Sequence, residues 1–274
     1  MGNETHKRPV VLAIGGHDPI GGAGIQADIE SIGSNGCHAA TAITCLTVQD
    51  TCNVRKILPV PAETLREQAL AVLHDSQVCG IKIGLLGYSE SARVVAELLR
   101  DHPWIPVVFD PVLAAGGGTD LADNPLLEVI RDELLPRCDL LTPNTHEALR
   151  LSQDGGANPQ DSAQALLASG VRAILLTGTH DMSDPHQVTH RLYRRSQPVW
   201  VSHWPRHAGE YHGSGCTLAS AIAAGLARGL PLEEAAQAGL SYTWSSLKAG
   251  FPAGRCQWIP YRYLNLSQPS EPST

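Results

Sequence analysis

Short apolar runs that stop at a glycine, a proline or a polar side chain recur along the chain, and between them lie stretches whose apolar residues fall three or four apart. Pro9 to Ile14, Ala39 to Val48, Val54 to Val60, Gly80 to Leu86, Pro106 to Pro111, Asp139 to Thr142 and Ala173 to Thr177 have the length and branched content of strands. The spacing predicts helices over Gly24 to Ser34, where Ile25, Ile29 and Ile32 share a face, and over Pro61 to His74 and Ser89 to Arg100. Further helices are expected over Pro125 to Leu135, from Asn144 onward, over Asp161 to Ser169, from Gly213 to Arg228, and over Leu232 to Leu247. His186 to His203 alternates without a helical period and predicts a hairpin turning near Ser196-Gln197. Strands alternating with helices predict an α/β fold, a mostly parallel sheet covered on both faces. The strand ends then place Gly16, Gln49, Asp110, Asn144 and Thr177 at the carboxyl edge, where open α/β sheets bind ligands.

Nothing divides the chain: there is no internal repeat, charge run or low-complexity linker, so a single domain over 9–266 is expected, with disordered tails at 1–8 and 267–274. Its 274 residues are enough to bury a sizeable core. A net charge of −7 and an aromatic content of 5% argue against nucleic acid and anionic membranes as partners. Only four lysines are present, Lys7, Lys56, Lys82 and Lys248, so arginine carries most positive charge. The seven cysteines show no C-x-x-C and no metal spacing, which predicts reduced thiols and a cytoplasmic protein. No H-E-x-x-H arrangement suggests zinc, and no apolar run is long enough to span a bilayer.

Two glycine-rich stretches carry candidate chemistry. Gly213-Ser214-Gly215-Cys216 opens a helix of small residues, and such a start offers free N–H groups and partial positive charge to an anion. Ser214 and Thr217 are both candidates to cap it. Gly15 to Gly24 follows the first strand but does not complete the Gly-x-Gly-x-x-Gly dinucleotide fingerprint. Asp110 ends a buried strand, and Asn144 and Glu147 stand one helical turn apart, a spacing suited to a shared magnesium–phosphate network. The Gln49 amide offers a donor and an acceptor side by side at a strand end.

Taken together, Gly15-Gly16-His17-Asp18-Pro19-Ile20-Gly21-Gly22-Ala23-Gly24, Val48-Gln49-Asp50-Thr51, Lys82-Ile83-Gly84-Leu85-Leu86, Asp110-Pro111-Val112, Thr142-Pro143-Asn144-Thr145-His146-Glu147 and His212-Gly213-Ser214-Gly215-Cys216-Thr217 resemble the hydroxymethylpyrimidine/phosphomethylpyrimidine kinases of thiamin synthesis, over residues 10–250. The resemblance implies a ribokinase-like three-layer fold, a homodimer, and ATP-dependent phosphorylation of the aminopyrimidine alcohol and then of its monophosphate. It implies a pyrimidine site at Gly16, Asp28, Gln49, Leu85 and Val112, and catalysis by Gly213, Ser214, Gly215 and Cys216, the thiol acting as a modest base at neutral pH. It implies an ATP site at Asn144, Thr177, Gly178, Gly213 and Gly215, with Asp110 and Glu147 toward Mg2+. Two lysines usual in the family are absent, one near Gly116 and one at Thr177, which puts the second phosphorylation and the catalytic rate in question. Lys82 keeps its family place and reads as acceptor-side or structural. A pyridoxal kinase and a catalytically weak pyrimidine-binding regulator are the competing readings.

Overall fold

Strand β1 (Val10–His17) lies in the interior of a nine-stranded sheet, third from one edge, and its residues Val11 to Gly16 are apolar or glycine and buried. A computed structural model describes residues 8–152, 158–181 and 183–264. The tails expected to be disordered lie outside these described residues, apart from Arg8.

The chain passes from β1 through α1 (Gly24–Ser34) to β2 (His38–Gln49), which pairs parallel to β1 on one side. The edge strand β3 (Val54–Pro59) turns back antiparallel to β2. Helix α2 (Ala62–Asp75) then delivers β4 (Val78–Ile83) to the other side of β1. From there α3 (Ser89–Asp101), β5 (Val107–Phe109), α4 (Asn124–Val129), β6 (Leu140–Leu141), α5 (Thr145–Leu151), α6 (Pro159–Ala168) and β7 (Ala173–Leu176) continue the parallel run. The hairpin β8 (Gln187–Arg194) and β9 (Trp200–Pro205) closes the far edge antiparallel, with Ser196 in its turn at φ 54°. Helices α7 (Ser214–Ala227) and α8 (Leu232–Lys248) complete the chain. The helix expected over 125–135 does not stay regular: α4 widens into a π turn at Ile130–Leu134 and then tightens into a 3-10 turn at Leu135–Arg137, where Pro136 cannot continue the α ladder.

Alternation along the strands builds two cores. Leu12 and Ile14 face Leu65, Val95 and Leu98 on one side, while Val11 and Ala13 face Ile32, Leu218 and Ile222 on the other. The small residues Ala219, Ala223 and Ala224 let α7 lie close against the sheet, and Gly239 of α8 accommodates the Ile222 side chain. The connection leaving β1 runs to β2 on one side and that leaving its neighbour β4 runs to β5 on the other, so the carboxyl ends of β1 and β4 form a topological switch point, the place where such sheets open a crevice.

Residues past α8 form a strap across this edge. Phe251 and Ile259 bridge, Tyr211 and Trp258 bridge, and Gln257 N–H donates to Thr51 O at 3.1 Å. A disulfide joins Cys52 to Cys256, which corrects the expectation that all seven cysteines are reduced thiols. Sequence spacing could not reveal it, since 204 residues separate the partners and only the fold brings them together. Among the described residues, no helix is long and apolar enough to cross a membrane.

Candidate active site

Helix α7 begins without a side-chain cap: Gly213 is its N-cap at φ 80°, a left-handed conformation that glycine tolerates. Ser214 is the first helical residue and Thr217 lies in the first turn, so neither caps the helix as the sequence suggested. Thr217 instead donates its hydroxyl back to Gly213 O at 2.8 Å. The opening amides are left for an anion. A Cβ on Gly213 would stand 1.9 Å from Gly22 O, so the two glycine-rich loops touch where neither has a side chain.

The loop after β1 is held by Asp18, which is buried and accepts from Ile20 N at 3.0 Å, Ala23 N at 2.8 Å and His212 Nε2 at 2.9 Å. His212 therefore ties the Gly213 loop to the Gly15–Gly24 loop. The bonds to His212, Ala23 and Ile20 outweigh burial and hold the Asp18 carboxyl below its usual range. Sequence reasoning assigned no role to this pair; the pairing spans 194 residues and leaves no local pattern.

On the acceptor side, Gly16 lies between Cys45 and Leu85, whose atoms come within 3.0 and 3.1 Å of where a Cβ would stand. Gln49 ends β2 half-buried, and Leu85 and Val112 are half-buried at the ends of β4 and β5, so these four residues share one edge. Asp28 departs from the expectation. It is wholly buried, and its Oδ1 accepts from Lys82 Nζ at 2.7 Å and Ser220 Oγ at 2.7 Å. It lies beneath the site as the counter-ion of Lys82 and meets neither solvent nor an open pocket. Lys82 is likewise wholly buried, and its ammonium is held charged by Asp28, Cys216 and Asp110 against the cost of burial.

Above this pair, Asp110 and Cys216 face each other. A Cβ on Gly215 would stand 3.3 Å from both Asp110 oxygens, so the carboxylate points at the start of α7. Burial raises the Asp110 carboxyl to about 6, opposed by Lys82 and by the Cys216 thiol. Burial also pushes the Cys216 thiol up to about 12, with Lys82 and the Gly24 N–H pulling it down and Asp110 and Asp28 pushing it up. This overturns the modest-base expectation for the ligand-free protein: a helix terminus shifts a thiol by less than about one unit, too little against full burial beside a carboxylate.

Toward the nucleotide side, Asn144 and Glu147 form a capping box rather than an open pair. Glu147 N donates to Asn144 Oδ1 at 2.9 Å, and Asn144 N donates to Glu147 Oε2 at 2.9 Å. Burial and the nearby Asp110 raise the Glu147 carboxyl to about 8. Asn144 and Thr177 are brought side by side in a parallel bridge, and Thr177 N donates to Pro143 O at 2.9 Å. A Cβ on Gly178 would stand 2.0 Å from Thr189 O, so the fold itself requires glycine there. His146 stacks on His180 with ring centroids 4.7 Å apart. Arg206 reaches Thr179 O at 2.8 Å, Asp181 O at 2.7 Å and Gln187 O at 3.3 Å, which places a guanidinium beside the strand end that lacks the usual lysine.

A family model for phosphomethylpyrimidine kinase matches residues 18–260. A hydroxymethylpyrimidine/phosphomethylpyrimidine kinase from Streptomyces coelicolor is 36% identical over 90% of this chain and 91% of its own. The phosphomethylpyrimidine kinase of Clostridium difficile superposes with a TM-score of 0.76 at 27% identity, covering 88% of this chain and 100% of its own. A pyridoxal kinase from Bacillus subtilis, solved as an ADP complex, superposes with a TM-score of 0.83 at 26% identity, covering 93% of this chain and 97% of its own. The family match begins at Asp18, inside the first glycine-rich loop, and runs past Gln49, Asp110, Asn144 and Thr177 through the Gly213 loop, and the chain belongs to the phosphomethylpyrimidine kinase family, phosphotransferases of ribokinase-like fold.

Proposed function

We propose that the protein transfers the γ-phosphoryl group of ATP to the hydroxymethyl group of 4-amino-5-hydroxymethyl-2-methylpyrimidine, and then phosphorylates the monophosphate to the diphosphate. One observation carries this reading: the uncapped start of α7 opens beside Asp110 and Cys216, on the same sheet edge that holds Gly16, Gln49, Leu85 and Val112. Phosphoryl transfer asks for positioned donors and charge compensation more than for covalent help from the protein. The amides of Ser214, Gly215 and Cys216 supply the donors. Gln49 has no side-chain hydrogen bond among the described residues, which leaves its amide for the pyrimidine edge.

The residues also suit a magnesium ion. Asp110 Oδ2 is buried without a hydrogen-bond partner, and Asp110 raises the nearby Glu147 carboxyl, a repulsion that a divalent cation relieves. Asp110 and Glu147 would hold it through its waters, and it would supply charge compensation for the transferred group. Cys216 does not wait as a thiolate. Its proton is held facing Asp110, a carboxyl raised to about 6, so the pair can pass a proton from the acceptor hydroxyl as transfer proceeds.

A second reading has one specific support. The superposition on the Bacillus subtilis pyridoxal kinase, TM-score 0.83, is closer than that on the Clostridium difficile pyrimidine kinase, 0.76. Pyridoxal also presents a hydroxymethyl group on a six-membered nitrogen ring. The test is phosphorus NMR of the purified protein with magnesium-ATP and each alcohol. The expected result is a pyrimidine monophosphate followed by a diphosphate, abolished by chelator. A product from pyridoxal alone, or full turnover in chelator, contradicts the proposal.

A further inference from the structure

Arg262 stands two residues beyond the family match, on the strap that follows α8, and it is wholly buried. A buried guanidinium is costly unless its fork of donors is used, and here every arm is engaged. Nε donates to Thr217 Oγ1 at 2.9 Å, and Nη1 to Gly21 O at 3.3 Å and Glu30 Oε2 at 3.1 Å. Nη2 donates to Gly22 O. Apart from Glu30 on α1, the acceptors lie in the loop after β1 and in the first turn of α7, the two segments that must be aligned for transfer. Gly22 O is the atom packed against Gly213, and Thr217 Oγ1 in turn grips Gly213 O at 2.8 Å. The guanidinium thus reaches Gly213 from both sides, once through Gly22 and once through Thr217.

We infer that Arg262 is a positioning residue for phosphoryl transfer, fixing the Gly213–Cys216 amides against the loop after β1. The inference rests on the kinase reading above. It follows from geometry that lysine cannot reproduce: its three donors all leave one nitrogen, whereas Thr217, Gly21, Glu30 and Gly22 are met by three nitrogens spread over a planar fork. A reacting group displaced by about 1 Å loses on the order of 10²-fold in rate while binding persists.

The test compares Arg262→Lys and Arg262→Gln with Tyr242→Phe. The Tyr242 hydroxyl holds the same strap through Arg262 O at 2.6 Å, and its contact is with neither glycine loop. Arg262→Lys is expected to lower kcat about 10- to 100-fold with both KM values within about threefold, whereas Tyr242→Phe keeps kcat within about twofold at a comparable fall in Tm. Should the Arg262 variants fail to fold, Thr217→Val removes the same link and is expected to reproduce the kcat loss, with Thr217→Ser restoring it. A loss carried by KM, or one no larger than that of Tyr242→Phe, overturns the inference. Amide exchange of 213–217 in the ligand-free protein provides a readout independent of turnover. It should quicken in Arg262→Lys and not in Tyr242→Phe, and equal exchange in the two contradicts the positioning role. Absent turnover in the unaltered protein would instead count against the kinase reading.

Discussion

On the acceptor half of the edge, each buried charge has an opposite charge in contact, Asp28 with Lys82, Asp18 with His212 and Arg262 with Glu30, although Asp28 Oδ2 itself accepts no hydrogen bond. On the nucleotide half the charges are looser. Asp110 has an oxygen without a partner, Glu147 is pushed up to about 8, and the glycine loop at Gly116 to Gly118 is exposed and carries no cation. The contrast teaches where each half obtains its order. The acceptor end is preorganised by the protein, so that a small neutral ring meets fixed groups. On the function proposed above, the nucleotide end would complete its charge compensation only when ligand and cation arrive, and with two lysines absent it would lean more heavily on amides and the cation.

The largest expected break lies between the halves. Cys216→Ala should fold, bind both ligands and lose about 10²- to 10⁴-fold in kcat, the range usual for a group that moves a proton in the transition state. Because burial holds the thiol at about 12, alkylation of the ligand-free protein should stay slow through neutral pH and quicken only in strongly alkaline solution. Rapid alkylation at pH 7, measured by mass spectrometry, would show a thiolate that this environment does not support.

Next comes the buried pair. Lys82→Met leaves Asp28 charged, enclosed and short of its ion-pair partner, and should cost about 3 to 5 kcal/mol of stability by urea unfolding. A cost below about 1 kcal/mol, the range of an exposed pair, would mean the acceptor half is not held by this bond.

Smaller effects separate the halves by substrate. Gln49→Ala should raise the acceptor KM by the equivalent of about 1 to 3 kcal/mol and leave the ATP KM unchanged. Gly116→Lys should act only on the other side. Its Cβ meets the end of the Gln257 side chain at 2.7 Å, a group that can turn away, and the added cation should lower the ATP KM about fivefold, an interaction of up to about 1 kcal/mol. Steady-state kinetics with each substrate varied checks both, and crossed effects would dissolve the distinction.

How much of this was legible beforehand divides along the same line. The strands, the helices and the hairpin follow from periodicity, because each depends on neighbours in sequence; α1 runs over Gly24–Ser34 as expected, with Ile25 and Ile32 buried but Ile29, read onto the same face, 45% exposed. The Gly213 and Gly16 loops were legible because glycine marks backbone that other residues resist. Pairings across the fold left no such mark. Asp28 looked available to a ligand because its helix position says nothing of Lys82, 54 residues away. Asn144 and Glu147 looked like a metal pair, but the same spacing also makes a capping box. The disulfide between Cys52 and Cys256 and the Arg262 latch both depend on the strap after α8, whose irregular backbone has no periodicity to detect.

The most direct test of the account offers three acceptors side by side at saturating magnesium-ATP: the aminopyrimidine alcohol, its monophosphate, and pyridoxal. A preorganised acceptor end with Gln49 facing the aminopyrimidine edge predicts the highest kcat/KM for the alcohol. It predicts measurable turnover of the monophosphate and weaker turnover of pyridoxal, which lacks the amino group beside the ring nitrogen. A kcat/KM for pyridoxal equal to or above that for the pyrimidine alcohol would contradict it.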